Sequence, residues 1–323
     1  MNTIIDISRL ENPNHYQFET VPCYQCGAFA DDQEFAIAQE DLTGKPGNFR
    51  FGQCQECGLV FQNPRLTFDQ IGAFYDDQYI AHRNKKDWGI FSFLTQWGMD
   101  QHNKKKLEII NNYVQLGPQS HVLDGGCATG TFLNKIRKTY GSKVAGVDFK
   151  RFDGFPDFEH IDFYHGEFFN QDLPSNQYDL ITLWHFLEHC YDPMKTLQSA
   201  KDALSKTGRI VIEVPRLDSL SYQLFQSRWP GFQAPQHTVI FDKAHLLQFV
   251  ESAGLKVVDY LPYGAFPPYF YFFTGALFKI LRGRGMNLKL WTGPYFLGQV
   301  LTSPFFLFQR RLNLSMQTVI CEK

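Results

Sequence analysis

The sequence predicts an α/β protein: a largely parallel sheet with helices on both faces, preceded by a small cysteine-rich module. Three observations predict it. From His121 to Leu261, short apolar runs alternate with amphipathic stretches, the rhythm of strands and helices in a parallel sheet. The first run opens into a glycine-rich turn, Gly125-Gly126-Cys127-Ala128-Thr129-Gly130. Ahead of these stand two cysteine pairs, Cys23-x-x-Cys26-Gly27 and Cys54-x-x-Cys57-Gly58. The 323 residues, at about 150 per domain, suggest two domains. A chain with 44% apolar and 20% charged residues is globular, which excludes a disordered or collagen-like protein. Its net charge of -2 excludes a generic nucleic-acid binder held by counterion release.

Taken in order, the N-terminus lacks the basic region and apolar core of a secretory signal. Seven cysteines, an odd number, then point to a reducing compartment and a cytoplasmic protein in which close pairs bind metal. Residues 1–65 form the predicted module, with short strands and turns around the pairs. Cys23, Cys26, Cys54 and Cys57 offer four thiolates in two tight turns, a closed tetrahedral Zn²⁺ site of structural rather than catalytic type. Between the pairs stand Asp31, Asp32, Glu34, Glu40 and Asp41 against Lys45 and Arg50, which is no surface for phosphates. No nucleic-acid partner is expected. Residues 66–117 read as a helical connector. Thr67 with Gln70 reads as a capping box ahead of Ile71, Phe74 and Tyr75, and a second helix runs from about His102 to Leu116, stopped by Gly117-Pro118.

The core then spans 118–262. His121–Leu123, Lys143–Val147, Asp179–Trp184, Arg209–Val214 and Leu255–Leu261 read as strands. Helices carry Phe132, Leu133 and Ile136, run from Asp192-Pro193 to Gly208, and start at Asp242 to end at Gly254. The last strand is Gln317–Cys321.

The glycine turn lets backbone N–H groups approach a ligand at the positive end of a helix. Asp148, at the tip of the next strand, suits the two hydroxyls of a ribose. The dinucleotide fingerprint G-x-G-x-x-G fails, because its second glycine would fall at Ala128. The pattern D-x-G-x-G-x-G fits from Asp124, with Ala128 as the one departure. This stretch resembles the first motif of the class I S-adenosylmethionine-dependent methyltransferases. The resemblance continues through Val144–Asp148, Gly166-Glu167, Tyr178–Ile181, Leu187-Glu188-His189 with Asp192-Pro193, Pro235-Gln236-His237 and Phe241-Asp242, covering about residues 118–262. It implies a Rossmann-like sheet and S-adenosylmethionine as cofactor. Asp124 and Gly126 would frame its methionine end, with Ala128 narrowing the space beside it and Gly130 completing the turn. Asp148 would bind the ribose, Phe149 would pack on the adenine, and Glu167 would meet the adenine amino group. The stretch Cys57–Arg65, leading toward Tyr75 and Tyr79, also resembles a zinc-ribbon-like module found ahead of bacterial methyltransferases of small molecules and surface glycans. Such a module is expected on the substrate side of the cleft.

After the fourth motif, His185-Phe186-Leu187-Glu188-His189 puts His185, Glu188 and His189 on one face if helical. The spacing matches a zinc-protease motif, but its place at the carboxyl edge of a cofactor-binding sheet argues against that reading. Three readings stay open. The residues orient loops; or one histidine is a general base; or they form a divalent-metal site, as in some quinone O-methyltransferases that the segment resembles. His237 is a rival base. The expected function is methyl transfer to a small-molecule acceptor, a nucleotide-linked or lipid-linked sugar. The alternatives are a noncatalytic cofactor- or partner-binding protein of the same fold, a quinone-type O-methyltransferase, and a methyltransferase acting on protein or nucleic acid through its zinc module.

Residues 263–315 read as an insertion before the last core strand, 316–323. From Tyr260 to Cys321 there is no acid, and Lys279, Arg282, Arg284, Lys289, Arg310 and Arg311 give +6. Tyr260–Phe278 and Leu290–Gln309 are uncharged runs of 19 and 20 residues, but Pro262, Pro267, Pro268, Pro294 and Pro304 interrupt them. Two readings follow: a peripheral contact with the inner membrane face through 260–315, or a segment that packs over the cleft.

Overall fold

The computed structural model describes residues 12–29, 32–76, 88–89, 91–152, 155, 158–306 and 309–323. Tyr79, Asp31 and the first eleven residues lie outside them. Along the chain, β1 (Phe18–Glu19), β2 (Asp32–Gln39), β3 (Asn48–Cys54), β4 (Val60–Gln62) and β5 (Arg65–Leu66) precede α1 (Phe68–Ile71) and α2 (Ser92–Ile110). Then come β6 (His121–Gly125), α3 (Thr131–Tyr140), β7 (Lys143–Asp148), β8 (Asp162–His165), β9 (Tyr178–Trp184), α4 (Pro193–Ala203) and β10 (Leu204–Pro215). The chain continues through α5 (Leu220–Phe225), β11 (Val239–Ile240), α6 (Lys243–Ser252) and β12 (Lys256–Leu261). It closes with α7 (Pro268–Leu281), α8 (Leu288–Phe306) and β13 (Met316–Glu322). These elements form two compact units, one of residues 1–96, 215–245 and 267–316, the other of 97–214, 246–266 and 317–323.

The second unit carries a seven-stranded sheet in the order β12-β13-β10-β9-β6-β7-β8. The four pairings from β10 to β8 are parallel, and β12 pairs antiparallel with β13. The fold class is the expected one, a mostly parallel α/β sheet. Its central strands are apolar on both faces, with Val122, Leu123, Leu180, Ile181, Val211 and Ile212 fully buried, as strands covered by helices on both sides must be. Gly146 on β7 is a packing glycine: an added Cβ would stand 2.5 Å from Cys127 Sγ.

Several boundaries depart from the sequence expectation. The Thr67 side chain makes no capping bond, and the helix behind it is one turn, Phe68–Ile71. α2 starts well before His102, because its early Phe93, Trp97 and Met99 are exposed and show no buried stripe, and it ends at Ile110 rather than Leu116. α4 ends at Ala203 rather than Gly208, since Leu204 already pairs with Tyr178 and a bulge separates it from Arg209. The sequence pattern does not predict β8. It is an edge strand with no fully buried residue, so it lacks an apolar face to detect.

The first unit holds an antiparallel sheet, β11-β4-β3-β2, and the pair β1-β5. The late strand β11 completes the early sheet by pairing Val239 with Phe61 and Ile240 with Val60. Phe49, Phe51 and Leu59 fill its core. Arg50 and Asp32 form a buried pair at 2.6 Å, tied by the Arg50 Nη1 bond to the Asn63 carbonyl (2.6 Å) and the Asn63 amide bond to Asp32 (2.6 Å). Buried charges persist where their remaining bonds are filled in this way. The 263–315 segment is two helices, and α8 runs through both Pro294 and Pro304. Leu277 and Phe278 of α7 pack with Met286, Leu288 of α8 and Leu42 of the cysteine-rich part. No helix among the described residues is long and apolar enough to cross a membrane.

Candidate active site and thiolate centre

In the second unit, five parallel strands end on one edge, the place where open α/β sheets bind ligands. β6 runs into the glycine turn, whose Gly126 and Gly130 have φ of +72° and +73°, in the region that favours glycine. Ala128 shares the turn at φ +44°, a strained position for a residue with a Cβ. Its N–H donates to Asp148 Oδ2 at 2.9 Å, and Lys150 N–H donates to Oδ1 at 3.0 Å. Asp148 is buried at the tip of β7, and burial raises its carboxyl pKa against the pull of these N–H groups. Phe149, directly after it, is exposed. β8 ends beside it in register, Asp148 opposite His165, so Glu167 follows on the same edge and accepts from Asn170 Nδ2 at 3.0 Å.

Asp124 is buried and accepts the Thr182 hydroxyl at 2.6 Å. Burial pushes its carboxyl up to about 6, against the opposing charge of Lys106. Lys106, on α2, stands over the rings of Phe132 (4.7 Å) and Trp184 (5.2 Å), and burial lowers its amine.

At the end of β9, His185 has a left-handed backbone, φ +53°. Its Nε2 lies 3.1 Å from Glu213 and its Nδ1 3.6 Å from Glu188. Burial opposes the ring's charge, but the neighbouring carboxylates of Glu188 and then Glu213 outweigh it and raise the pKa to about 9. Glu213 is fully buried and also accepts from the Ala265 (2.6 Å) and Phe266 (3.0 Å) N–H groups. Glu188 and His189 lie on a short 3-10 turn, Leu187–His189, with Glu188 buried and His189 partly buried. The helical face expected for His185, Glu188 and His189 does not form.

One edge therefore gathers Asp124, Gly126, Ala128, Gly130, Asp148, Phe149, Glu167, His185, Glu188 and His189. His237 belongs to the other unit, where it is buried and its Nδ1–H donates to the Gly231 carbonyl at 2.8 Å. Glu213, Lys106 and His102 escaped the sequence reading. Glu213 carried a signal, a lone acid inside the apolar run Ile210–Val214. Lys106 did not, because the run Lys104-Lys105-Lys106 reads as a solvated face. Burial, and then Lys106, lowers the pKa of His102 well below the usual range.

The four module cysteines converge. Their Sγ atoms all lie within 4.8 Å of one another, with Cys23–Cys57 at 3.5 Å and Cys26–Cys54 at 3.6 Å. Two equivalent turns hold them. Gly27 N–H donates to the Cys23 carbonyl and Gly58 N–H to the Cys54 carbonyl, each at 2.9 Å, at φ of +72° and +84°. Soft thiolates at these separations fit a tetrahedral ion with bonds of about 2.3 Å.

Among known proteins, the chain is similar to a sphingolipid C9-methyltransferase of Candida albicans, 24% identical over 248 residues, covering 66% of this chain and 47% of that protein. The chain thus spans about half the length of that relative. Among solved structures it is similar to a geranyl diphosphate methyltransferase in complex with S-adenosylmethionine (TM-score 0.47, 13% identity, 68% of this chain and 84% of that one). It is also similar to an S-adenosylmethionine-dependent methyltransferase of Aquifex aeolicus (TM-score 0.38, 16% identity, 48% and 81%). A family model described as a methyltransferase domain matches residues 99–260, just over half of the sequence, and the chain belongs to that family.

Proposed function

We propose that this protein transfers a methyl group from S-adenosylmethionine to a small-molecule acceptor, a nucleotide-linked or lipid-linked sugar. The observation that carries the reading is Asp148: a buried carboxylate on the edge of β7, next to a turn of left-handed residues, with an exposed aromatic ring behind it. The similarity to a sphingolipid methyltransferase supports the lipid-linked form of the acceptor. When bound, the cofactor supplies an activated methyl on a sulfonium. Asp148 accepts hydrogen bonds from its ribose, Phe149 covers its adenine, Glu167 accepts from the adenine amino group, and Asp124 lies toward the methionine end. Positioning of this kind can supply most of the rate of an in-line displacement.

In this reading His185 is no proton acceptor. A ring held at a pKa of about 9 already carries its proton at neutral pH, so it positions Glu188 and Glu213 instead. His189, partly buried on the same edge, takes the acceptor's proton. The four module thiolates hold one structural Zn²⁺, whose closed donor set leaves no position for chemistry.

Titration calorimetry tests the cofactor site. Wild-type protein should bind S-adenosylmethionine in the micromolar range, and Asp148→Ala should weaken it more than tenfold, as expected for losing charge-assisted bonds of about 1.5–3 kcal/mol each. Equal affinity in the variant would refute the assignment. His189→Ala should keep that affinity while turnover falls by about 10²–10⁴; unchanged turnover would leave positioning alone as the source of rate.

A further inference from the structure

We infer that α8 is an amphipathic membrane-surface element that docks this protein onto an anionic phospholipid bilayer. Leu290, Leu297, Leu301 and Phe305 are exposed, from 47% at Phe305 to 70% at Leu301. With Pro294, also exposed, they recur at spacings of four, three, four and four residues, one stripe along a helix at 3.6 residues per turn. On the opposite side of the helix Leu288 and Thr292 are buried, and Tyr295 and Gln299 are partly buried. The helix thus presents apolar side chains outward over about 22 Å, where a surface helix normally turns polar ones.

The three hydroxyl side chains of Thr292, Thr302 and Ser303 in α8 are satisfied within the helix. They donate to the carbonyls of Leu288 (2.6 Å), Gly298 (2.7 Å) and Val300 (2.8 Å). A side chain that satisfies itself in this way loses little on leaving water. Along the chain, the charge flanking the stripe has one sign. Exposed Lys289 stands at its start, exposed Arg310 and Arg311 stand just past its end, and no acid occurs from Tyr260 to Cys321. Such a bracket complements phosphate headgroups. A second copy of this chain would instead bring like charges together at both ends of the stripe, whether the helices met parallel or antiparallel. The helix is too short in apolar content to span, so it lies in the interface with its outer stripe among the upper acyl carbons.

The experiment is vesicle co-sedimentation with the full chain. Vesicles of phosphatidylglycerol mixed with phosphatidylcholine should bind the protein at low salt and release much of it at high salt, while phosphatidylcholine alone should bind it far less. The double variant Leu297→Glu/Leu301→Glu should weaken binding at least about tenfold, and Arg310→Gln/Arg311→Gln should weaken it about tenfold on anionic vesicles only. Both pairs are exposed, and circular dichroism melting plus cofactor affinity check that the variants fold. Wild-type protein that stays in the supernatant with anionic vesicles at low salt overturns the proposal. So does binding indifferent to the leucine variant. A lipid-free dimer in sedimentation velocity that Leu297→Glu/Leu301→Glu dissociates, without vesicle binding, would make this face a contact between copies and overturn it too. Cofactor binding and methyl transfer are measured separately, so failure here leaves the proposed reaction standing.

Discussion

His185 shows how one side chain's role is set by its neighbours. A histidine at a strand tip reads as a candidate base, yet here the ring bridges two buried carboxylates, Glu213 at 3.1 Å and Glu188 at 3.6 Å. Its folded pKa of about 9 lies above its ordinary 6.5. The protonated ring therefore stabilises the fold fully below about pH 6.5, and this stabilisation is lost as pH rises through about 9. The shift corresponds to roughly 3 kcal/mol. Chemical denaturation should show wild-type stability falling between pH 7 and 10 on that order, and His185→Asn should be less stable at pH 6 but flat over the same range. An equally steep loss in the variant would place the titration elsewhere. Ala128 makes the complementary point: the positive φ that the turn demands persists with a Cβ present, and its N–H repays some of that strain by bonding Asp148.

Among the elements, the β3–β4 turn ties the four-cysteine cluster to the sheet. Cys54 closes β3, Cys57 precedes β4, and Gln53 pairs with Val60 directly across the turn. The same turn receives the His245 ring, whose Nε2 lies 2.9 Å from the Cys57 carbonyl. Metal analysis should find about one zinc per chain, and Cys54→Ser should release it. Structural zinc contributes on the order of 10 kcal/mol in small modules, so hydrogen exchange should speed across β2–β4 and β11 in the variant. Protein that is metal-free yet protected in those strands would rule the site out. The first turns of α2 and the edge strand β8 show the limit of reading elements from pattern. Neither has a buried stripe, because exposed Phe93 and Trp97 in one and the exposed ends and half-buried middle of the other leave no periodicity to see.

For the molecule as a whole, both units are closed by residues far along the chain. β13 lies inside the larger sheet, between β12 and β10. Its Val319, Ile320 and Cys321 are fully buried. At roughly 1.5–3 kcal/mol for each large apolar side chain, a chain ending at Ser315 loses stabilisation comparable to a whole domain's margin of about 5–15 kcal/mol. That truncation should abolish cooperative thermal unfolding and cofactor binding together, read by near-ultraviolet circular dichroism and calorimetry. A truncated chain that melts cooperatively would show that β13 is dispensable.

The sequence by itself determined the fold class, the order of most core strands, the glycine turn with Asp148, and the pairing of Cys23 and Cys26 with Cys54 and Cys57. Each rests on local physics: apolar runs of strand length, left-handed turns that favour glycine, and thiols two residues apart in a tight turn. Only the tertiary structure decided that β11 joins the cysteine-rich sheet, that Glu213 clasps His185, and that His237 belongs to a different unit from His189. These are contacts between residues far apart in sequence, and no periodicity records which distant segment will meet which. The structure also decided the fate of the acid-free segment. Composition left a broken apolar run with prolines in it, whereas the fold makes a helix whose buried side is satisfied by Leu42, Leu277 and Met286 and whose other apolar side remains in contact with water.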